Sequence, residues 1–259
     1  MRTSTRRARP NLTILADTLV DRIEGGALVS DRGEIQAETI VLAAGAYGSA
    51  AILLRSGLPP PVGENLRDHV GAGVGWEPTA KLVADVDALP MAQVSIRLRG
   101  GDVFLFPALD DGPEISAAAF AMKPRSTGRV RLNDRNPRTP PAIEHGFLTD
   151  ASDADGVAEG VDALRELAAS PQVRPYVARE IRPGAEVESL AHARTAFRGF
   201  FHPVGTCALG IVADADGRVR DLDGVFVADA SFLPELPRAN TNLTVAAVAE
   251  RLADGLARR

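Results

Sequence analysis

Two short stretches hold the side chains of this sequence best suited to chemistry. RGFFHPVGTCALG, residues 198–210, sets His202 after two phenylalanines and before a Pro-Val-Gly turn, close to Cys207, the single cysteine. PELPRANTNLT, residues 234–244, supplies Asn240 and Asn242. Imidazole is the side chain whose ordinary pKa suits proton exchange near neutrality, so His202 is either a general base or a core histidine beside a tight turn. Asn240 and Thr241 suit the cap of a helix. Asn242 exceeds what a cap requires, and a helix start presents free N–H groups and partial positive charge to an anion.

The remaining candidates are fewer. His145 and His192 have no clustered partner in the sequence and read as surface or loop residues. No H-E-x-x-H or Cys/His cluster supports a metal, and the G-x-S-x-G of a nucleophile elbow is absent. Cys207 reads as a buried, inert thiol.

These residues need elements to hold them. The chain opens with β-like runs, NLTIL and TLVDRIE, then the Gly25-Gly26 pair that favours a hairpin, then ALVSDRGEI. TIVLAAGAYGSAAILLRSGL reads as a buried strand, a glycine turn at Gly45 to Gly48, and a helix from near Ser49 to Gly57. Ligands of doubly wound sheets lie beyond the carboxyl ends of strands, which makes the backbone at Ala44 and Gly45 a candidate cofactor contact. From Trp76 to His145 alternation with frequent turns predicts a mostly antiparallel sheet. Residues 152–169 predict a helix capped by Ser152 or Asp153, with Val157, Val161, Leu164 and Ala168 on one face and Pro171 ending it. GVFVADAS predicts a buried strand ending at Asp229. NTNLTVAAVAERLADGLARR predicts a last helix with Val245, Val248, Leu252 and Leu256 on its inner face.

The order is α/β piece, β-rich insertion, α/β piece, which suits an enzyme with its site between two domains. The expected boundaries are 1–75, 76–195 and 196–259. With 259 residues, 45% of them hydrophobic, a sizeable core is available. A net charge of −5 offers no attraction for nucleic acid or an anionic membrane, so a small-molecule ligand is expected. MRTSTRRARP is basic but no apolar run follows it, and no stretch is long enough to span a membrane. With one cysteine nothing requires an oxidising compartment, and a cytoplasmic location is expected.

ETIVLAAGAYGSAAILLRSGL, PVGENLRDHV, FHPVGTCALG, FVADASFLPELP and ANTNLTVAAVAERLAD follow one another in the order and character of the glucose-methanol-choline (GMC) oxidoreductases. The resemblance covers roughly residues 10–257, least clearly in the β-rich insertion, and PRSTGRVRLND and EIRPG resemble landmarks of the family's substrate domain. It implies an α/β fold of mixed α+β character, with a Rossmann-like FAD-binding domain and an inserted antiparallel-sheet substrate domain. The activity implied is oxidation of a small-molecule alcohol to a carbonyl by hydride transfer to the flavin, by a dehydrogenase rather than an oxidase. His202 matches the histidine that removes or orients the hydroxyl proton, and Asn240 the second site position. Asn242 and Thr244 match the flavin-proximal start of the last helix. Asp229 and Ala230 resemble the segment that meets the ribityl or pyrophosphate region. Val20 matches a position whose backbone meets the adenine, and Asn65 a loop near the flavin. His69, in NLRDHV, belongs to the pattern as a structural residue holding a loop.

The sequence departs from the family in lacking the opening G-x-G-x-x-G. Gly45 to Gly48 gives only G-x-x-G, Ala50 replaces a proline, and Pro59 replaces a glycine. The expectation is an incomplete FAD-binding domain, truncated at its N-terminus by a misassigned start, a split enzyme or a remnant. Weak FAD binding and little activity are then expected of these residues alone. Hydroxynitrile-lyase-type chemistry, and a non-enzymatic remnant or a subunit completed by a separate chain, stand as alternatives. No aromatic cage for a quaternary amine is apparent, so choline is not favoured. Trp76 reads as core.

Overall fold

The computed structural model describes residues 11–85, 95–98, 102–109 and 114–258, so the basic start lies outside the described residues. The chain first forms an antiparallel meander of β1 (Val20–Glu24), β2 (Ala27–Ser30) and β3 (Gly33–Gln36), followed by β4 (Ile40–Leu42) and helix α1 (Gly45–Arg55). Gly25 and Gly26, both at positive φ, make the first hairpin turn. NLTIL is not a strand: it runs as irregular chain with Leu12, Ile14 and Leu15 exposed, and among the described residues no neighbour pairs with it.

Next come β5 (Val70–Pro78), α2 (Ala80–Asp85), β6 (Ile96–Leu98), β7 (Val103–Leu109), β8 (Ile115–Ala121), β9 (Arg129–Arg131) and β10 (Ala142–Glu144). They are followed by α3 (Ala151–Ala169), β11 (Val177–Arg182), α4 (Ser189–Thr195) and β12 (Phe197–Gly199), and the chain closes with β13 (Val225–Val227) and α5 (Thr241–Ala257). The largest sheet has the order β11-β5-β8-β7-β6, with β12 also on β5, and every pair is antiparallel. β4 and β13 form a parallel pair, Ile40 against Val225 and Leu42 against Val227.

Alternation along β5 explains how the large sheet packs. Val70, Ala72, Val74 and Trp76 face one way and pack with Leu105, Ala119, Val157, Val161 and Leu164 under α3. The residues between them are Gly71, Gly73 and Gly75, so the opposite face is nearly bare. Gly160 lets α3 approach, since a Cβ there would fall 2.5 Å from the Ala119 Cβ. A second core surrounds β4, β13 and α1, with Ile40, Leu42, Leu53, Leu66, Val225 and Val227.

Two helix starts differ from expectation for reasons of capping. Asp150, not Ser152 or Asp153, caps α3, accepting from the Ser152 N–H and hydroxyl. Asp153 instead is buried and accepts from the N–H groups of Arg125 and Ser126. Helix α1 begins at Gly45 rather than near Ser49 because Asp229, remote in sequence, accepts from the Gly45 N–H and the Ser49 hydroxyl. Of α5, only Thr241 and Leu252 are buried, with Val245, Val248 and Leu256 partly so. Among the described residues, no helix is long and apolar enough to cross a membrane.

Candidate active site

His202 lies on the chain leaving β12, which runs beside residues 67–71. Arg67 and Val204 exchange N–H···O bonds, and the Phe200 N–H donates to His69 O at 3.0 Å. Phe201 adopts φ 60° and stands 92% exposed, so the backbone turns between Phe200 and His202. The His202 N–H donates to Asp68 Oδ1 at 2.9 Å. Asp68 is buried, and desolvation raises its pKa against the opposing pull of the backbone N–H groups it accepts. His192, expected at the surface, is buried and bonds Gly73 O through Nε2 at 2.7 Å. It fills the edge of β5 between β11 and β12.

The ring of His202 meets His69, Nδ1 to Nδ1 at 2.9 Å, with the two planes at 90°. His69 is wholly buried, and its Nε2 lies 3.1 Å from Pro237 O. Burial, followed by the proximity of His202, pushes the His69 pKa down to about 4, and burial lowers that of His202. Both rings are therefore neutral at pH 7, and each carries one hydrogen. A carbonyl oxygen only accepts, so the His69 hydrogen is on Nε2 and its Nδ1 must accept. The hydrogen between the rings then belongs to His202 Nδ1, which leaves the His202 Nε2 lone pair without a partner among the described residues. His69, expected to hold a loop, does so through its bond to Pro237 O, and its other ring nitrogen meets His202.

The same bond ties His202 to the 234–240 loop. Lys123 Nζ donates to Leu236 O and Glu235, and Arg97 bonds Arg238 O, so the loop is held against the ends of β6 and β8. Asn240 is the N-cap residue of α5, exposed, and its side chain makes no capping bond. Asn242 and Leu243 are exposed and Thr244 partly so. His202 and the start of α5 thus share a neighbourhood through His69 and Pro237.

The remaining expected cofactor contacts are placed differently. Asp229 directs its carboxylate into the protein, accepting from the Gly45 N–H, the Ser49 hydroxyl, and both the N–H and hydroxyl of Ser231. The Ala44 N–H donates to Ser49 Oγ, so the N–H groups of Ala44 and Gly45 are both engaged. Ala230 begins a short 3-10 turn through Phe232. Asn65, at φ 60°, donates to Pro234 O at 3.1 Å and accepts from Arg67 Nε at 3.0 Å, so its side chain ties loops together. Val20 opens β1 opposite Ser30, next to a register shift. Cys207 is buried, its thiol pushed up to about 12 by desolvation, and Trp76 packs in the core under α3.

A cavity of about 910 Å³ lies beside this site. Phe200, Phe201 and Pro203 line it on the His202 side, and the bare face of the large sheet supplies Gly73, Ser116, Ala118 and Phe120. Phe200 stacks on Phe120 at 4.0 Å and lies 4.6 Å from the His202 ring. At another wall Tyr47 stands edge-on to His145, which stacks on Phe147 at 4.6 Å. The His145 Nδ1 is buried without a hydrogen-bond partner among the described residues, and Tyr47 is raised to about 12, chiefly by burial. Asp68, Tyr47 and His145 were not legible as a group, since they come from three distant segments.

Two family models described as GMC oxidoreductase match residues 6–71 and 124–249. The 5-(hydroxymethyl)furfural oxidase of Methylovorus sp. (strain MP688) is 30% identical over 96% of this chain and 58% of its own length. The oxygen-dependent choline dehydrogenase of Klebsiella pneumoniae (strain 342) is 28% identical with the same coverage. The crystal structure of pyridoxine 4-oxidase from Mesorbium loti superposes with a TM-score of 0.87 at 25% identity, covering 99% of this chain and 60% of that one. An Aspergillus oryzae formate oxidase variant studied for FAD modification shares the fold, with a TM-score of 0.83 at 19% identity over 95% of this chain and 60% of its own. The chain thus spans about three fifths of the length of these relatives.

Proposed function

This chain belongs to the GMC oxidoreductase family, and from that premise we propose that it forms the catalytic portion of an FAD-dependent enzyme that oxidises an alcohol to a carbonyl, His202 taking the hydroxyl proton. The observation that carries this reading is the hydrogen-bond chain from His202 Nδ1 through His69 to Pro237 O. His69 accepts from His202 Nδ1, so the His202 Nε2 lone pair is available to a hydroxyl group. Loss of hydride from a carbon becomes easier as its oxygen gains negative charge, and a base at that oxygen lowers the barrier. Asn240, whose side chain is uncommitted, donates to the same oxygen without titrating.

The residues present fit a flavin at the start of α5. Its first N–H groups have no side-chain cap, and Asn242 and Thr244 stand there, accessible to the ring. FAD, when bound, supplies the hydride acceptor. The backbone of Ala230 and Val20 and the carbonyl side of the Ala44–Gly45 turn are the further contacts assigned to it. Asp229 and Asn65 serve it by holding these loops in place. A dehydrogenase acting in the cytoplasm remains our reading. Leu12, Ile14, Leu15 and Leu243 are exposed, and such apolar side chains suit packing by a further nucleotide-binding segment, from the same polypeptide or a separate chain.

The test is anaerobic bleaching of the FAD-loaded protein by an alcohol. His202→Ala should retain flavin and slow bleaching roughly 10²- to 10⁴-fold; bleaching at the unaltered rate would refute the assignment.

A further inference from the structure

The cavity beside His202 has a charge pattern that an uncharged alcohol leaves unused. Of the three glycines on the bare face of β5, Gly71 lies under the Phe120 ring and Gly75 under the Glu114 carboxylate. Over Gly73 lies the Arg198 guanidinium, with Nη2 3.7 Å from where a Cβ would stand. Register explains the placement. Arg198 pairs with Gly71 and Arg182 with Gly75, and directly paired residues share a face, so both arginines project over the glycine row.

The two arginines are not equivalent. Arg182 forms an ion pair with Glu114. Arg198 forms no ion pair among the described residues, lines the cavity, and is exposed to it. The carboxylate on the lining, Asp68, already accepts the His202 N–H. Apolar Phe200, Phe120 and Ala118 line the cavity together with Arg198, and the Phe200 ring lies 4.6 Å from that of His202. Since Arg198, Phe200 and His202 are spaced i, i+2, i+4, their backbone limits the Cα separation of the two ends to about 14 Å.

We propose that the substrate is an alcohol carrying a carboxylate at its far end, bound by Arg198 while an apolar or aromatic spacer lies across Phe200 and the hydroxyl meets His202. An uncompensated guanidinium beside an apolar wall favours an anion, and its planar fork matches a carboxylate through two parallel N–H···O bonds. One unpaired arginine suits a monoanion rather than a phosphate dianion. The spacing demands that carboxylate and hydroxyl stand several atoms apart rather than on adjacent carbons. This inference rests on the reading of His202 as the site of oxidation.

The probes are 4-(hydroxymethyl)benzoate and 1,4-benzenedimethanol, which differ in the far group alone, titrated calorimetrically into the full chain with excess FAD. The carboxylate should bind roughly 10- to 100-fold more tightly than the diol, as expected for charge-assisted hydrogen bonds. Its advantage should shrink with added salt, and Arg198→Met should bring the ratio near one. Equal affinities in the unaltered protein, no binding of the carboxylate, or a ratio preserved in Arg198→Met would each overturn the proposal. Anaerobic bleaching separates it from the reading on which it rests. A ratio that depends on Arg198 without bleaching by either alcohol upholds the anion site and sinks oxidation. Bleaching by both alcohols at equal affinity sinks the anion site and upholds oxidation.

Discussion

Helices α1 and α5 follow β4 and β13 along the chain, yet their N-termini are treated oppositely. At α1 the Asp229 carboxylate, buried, accepts from the Gly45 N–H and the Ser49 hydroxyl, and the Ala44 N–H turns back to Ser49. At α5 the capping residue Asn240 makes no side-chain bond and the next turn exposes Asn242 and Leu243. The partial positive charge of a helix start attracts anions at both places. One is neutralised by the protein's own aspartate; the other faces outward beside the histidine pair. A glycine turn after a strand is thus a poor guide to ligand contact until its N–H groups have been accounted for.

The sharpest way to break this contrast is Asp229→Ala. It strands the Gly45 N–H and the Ser49 and Ser231 donors, and should lower unfolding stability by about 3 kcal/mol or more in urea titrations. A loss under 1 kcal/mol would mean that the α1 terminus is not closed by this carboxylate. The histidines beside the open terminus give a smaller, pH-dependent effect. His69 has a folded pKa of about 4 against about 6.5 when unfolded. Between those values the unfolded chain binds the proton first, so stability is full above about pH 6.5 and declines as pH falls towards 4. His69→Gln should flatten that slope, and an unchanged slope would assign the titration elsewhere. Smallest is Asn240→Ala. Because the side chain caps nothing, its cost to stability should stay within about 0.5 kcal/mol, whereas a capping asparagine loses about 1 kcal/mol. Flavin bleaching should nonetheless slow, and a stability loss without slower bleaching would make Asn240 a cap after all.

Much of the architecture was legible because its signals are local. The Gly25-Gly26 turn, the strand-like stretches of β6 to β8, the apolar face of α3 and the strand before Asp229 each depend on near neighbours in the chain. Where reading along the chain failed, the deciding partner was remote. Helix α1 starts early because its cap comes from Asp229; NLTIL has the residues of a strand but, among the described residues, no edge to pair with. His192 looked like a loop residue and is buried because Gly73 O needs a donor at a gap between β11 and β12.

The sequence by itself determined the residue types of the site: a histidine after an aromatic pair, two asparagines before an amphipathic helix, and the order of motifs that marks the family. Tertiary structure alone decided which nitrogen of His202 is free, because that depends on His69 and on Pro237 O, each more than thirty residues from it along the chain. It also decided that, among the described residues, Arg198 rather than Arg182 has no ion pair, because strand register sets both over the same glycine row and Glu114 reaches only one. Periodicity and capping act over one or two turns of chain. Hydrogen-bond partners and ion pairs are fixed by distances in space, which the chain sets only when its strands and helices have packed.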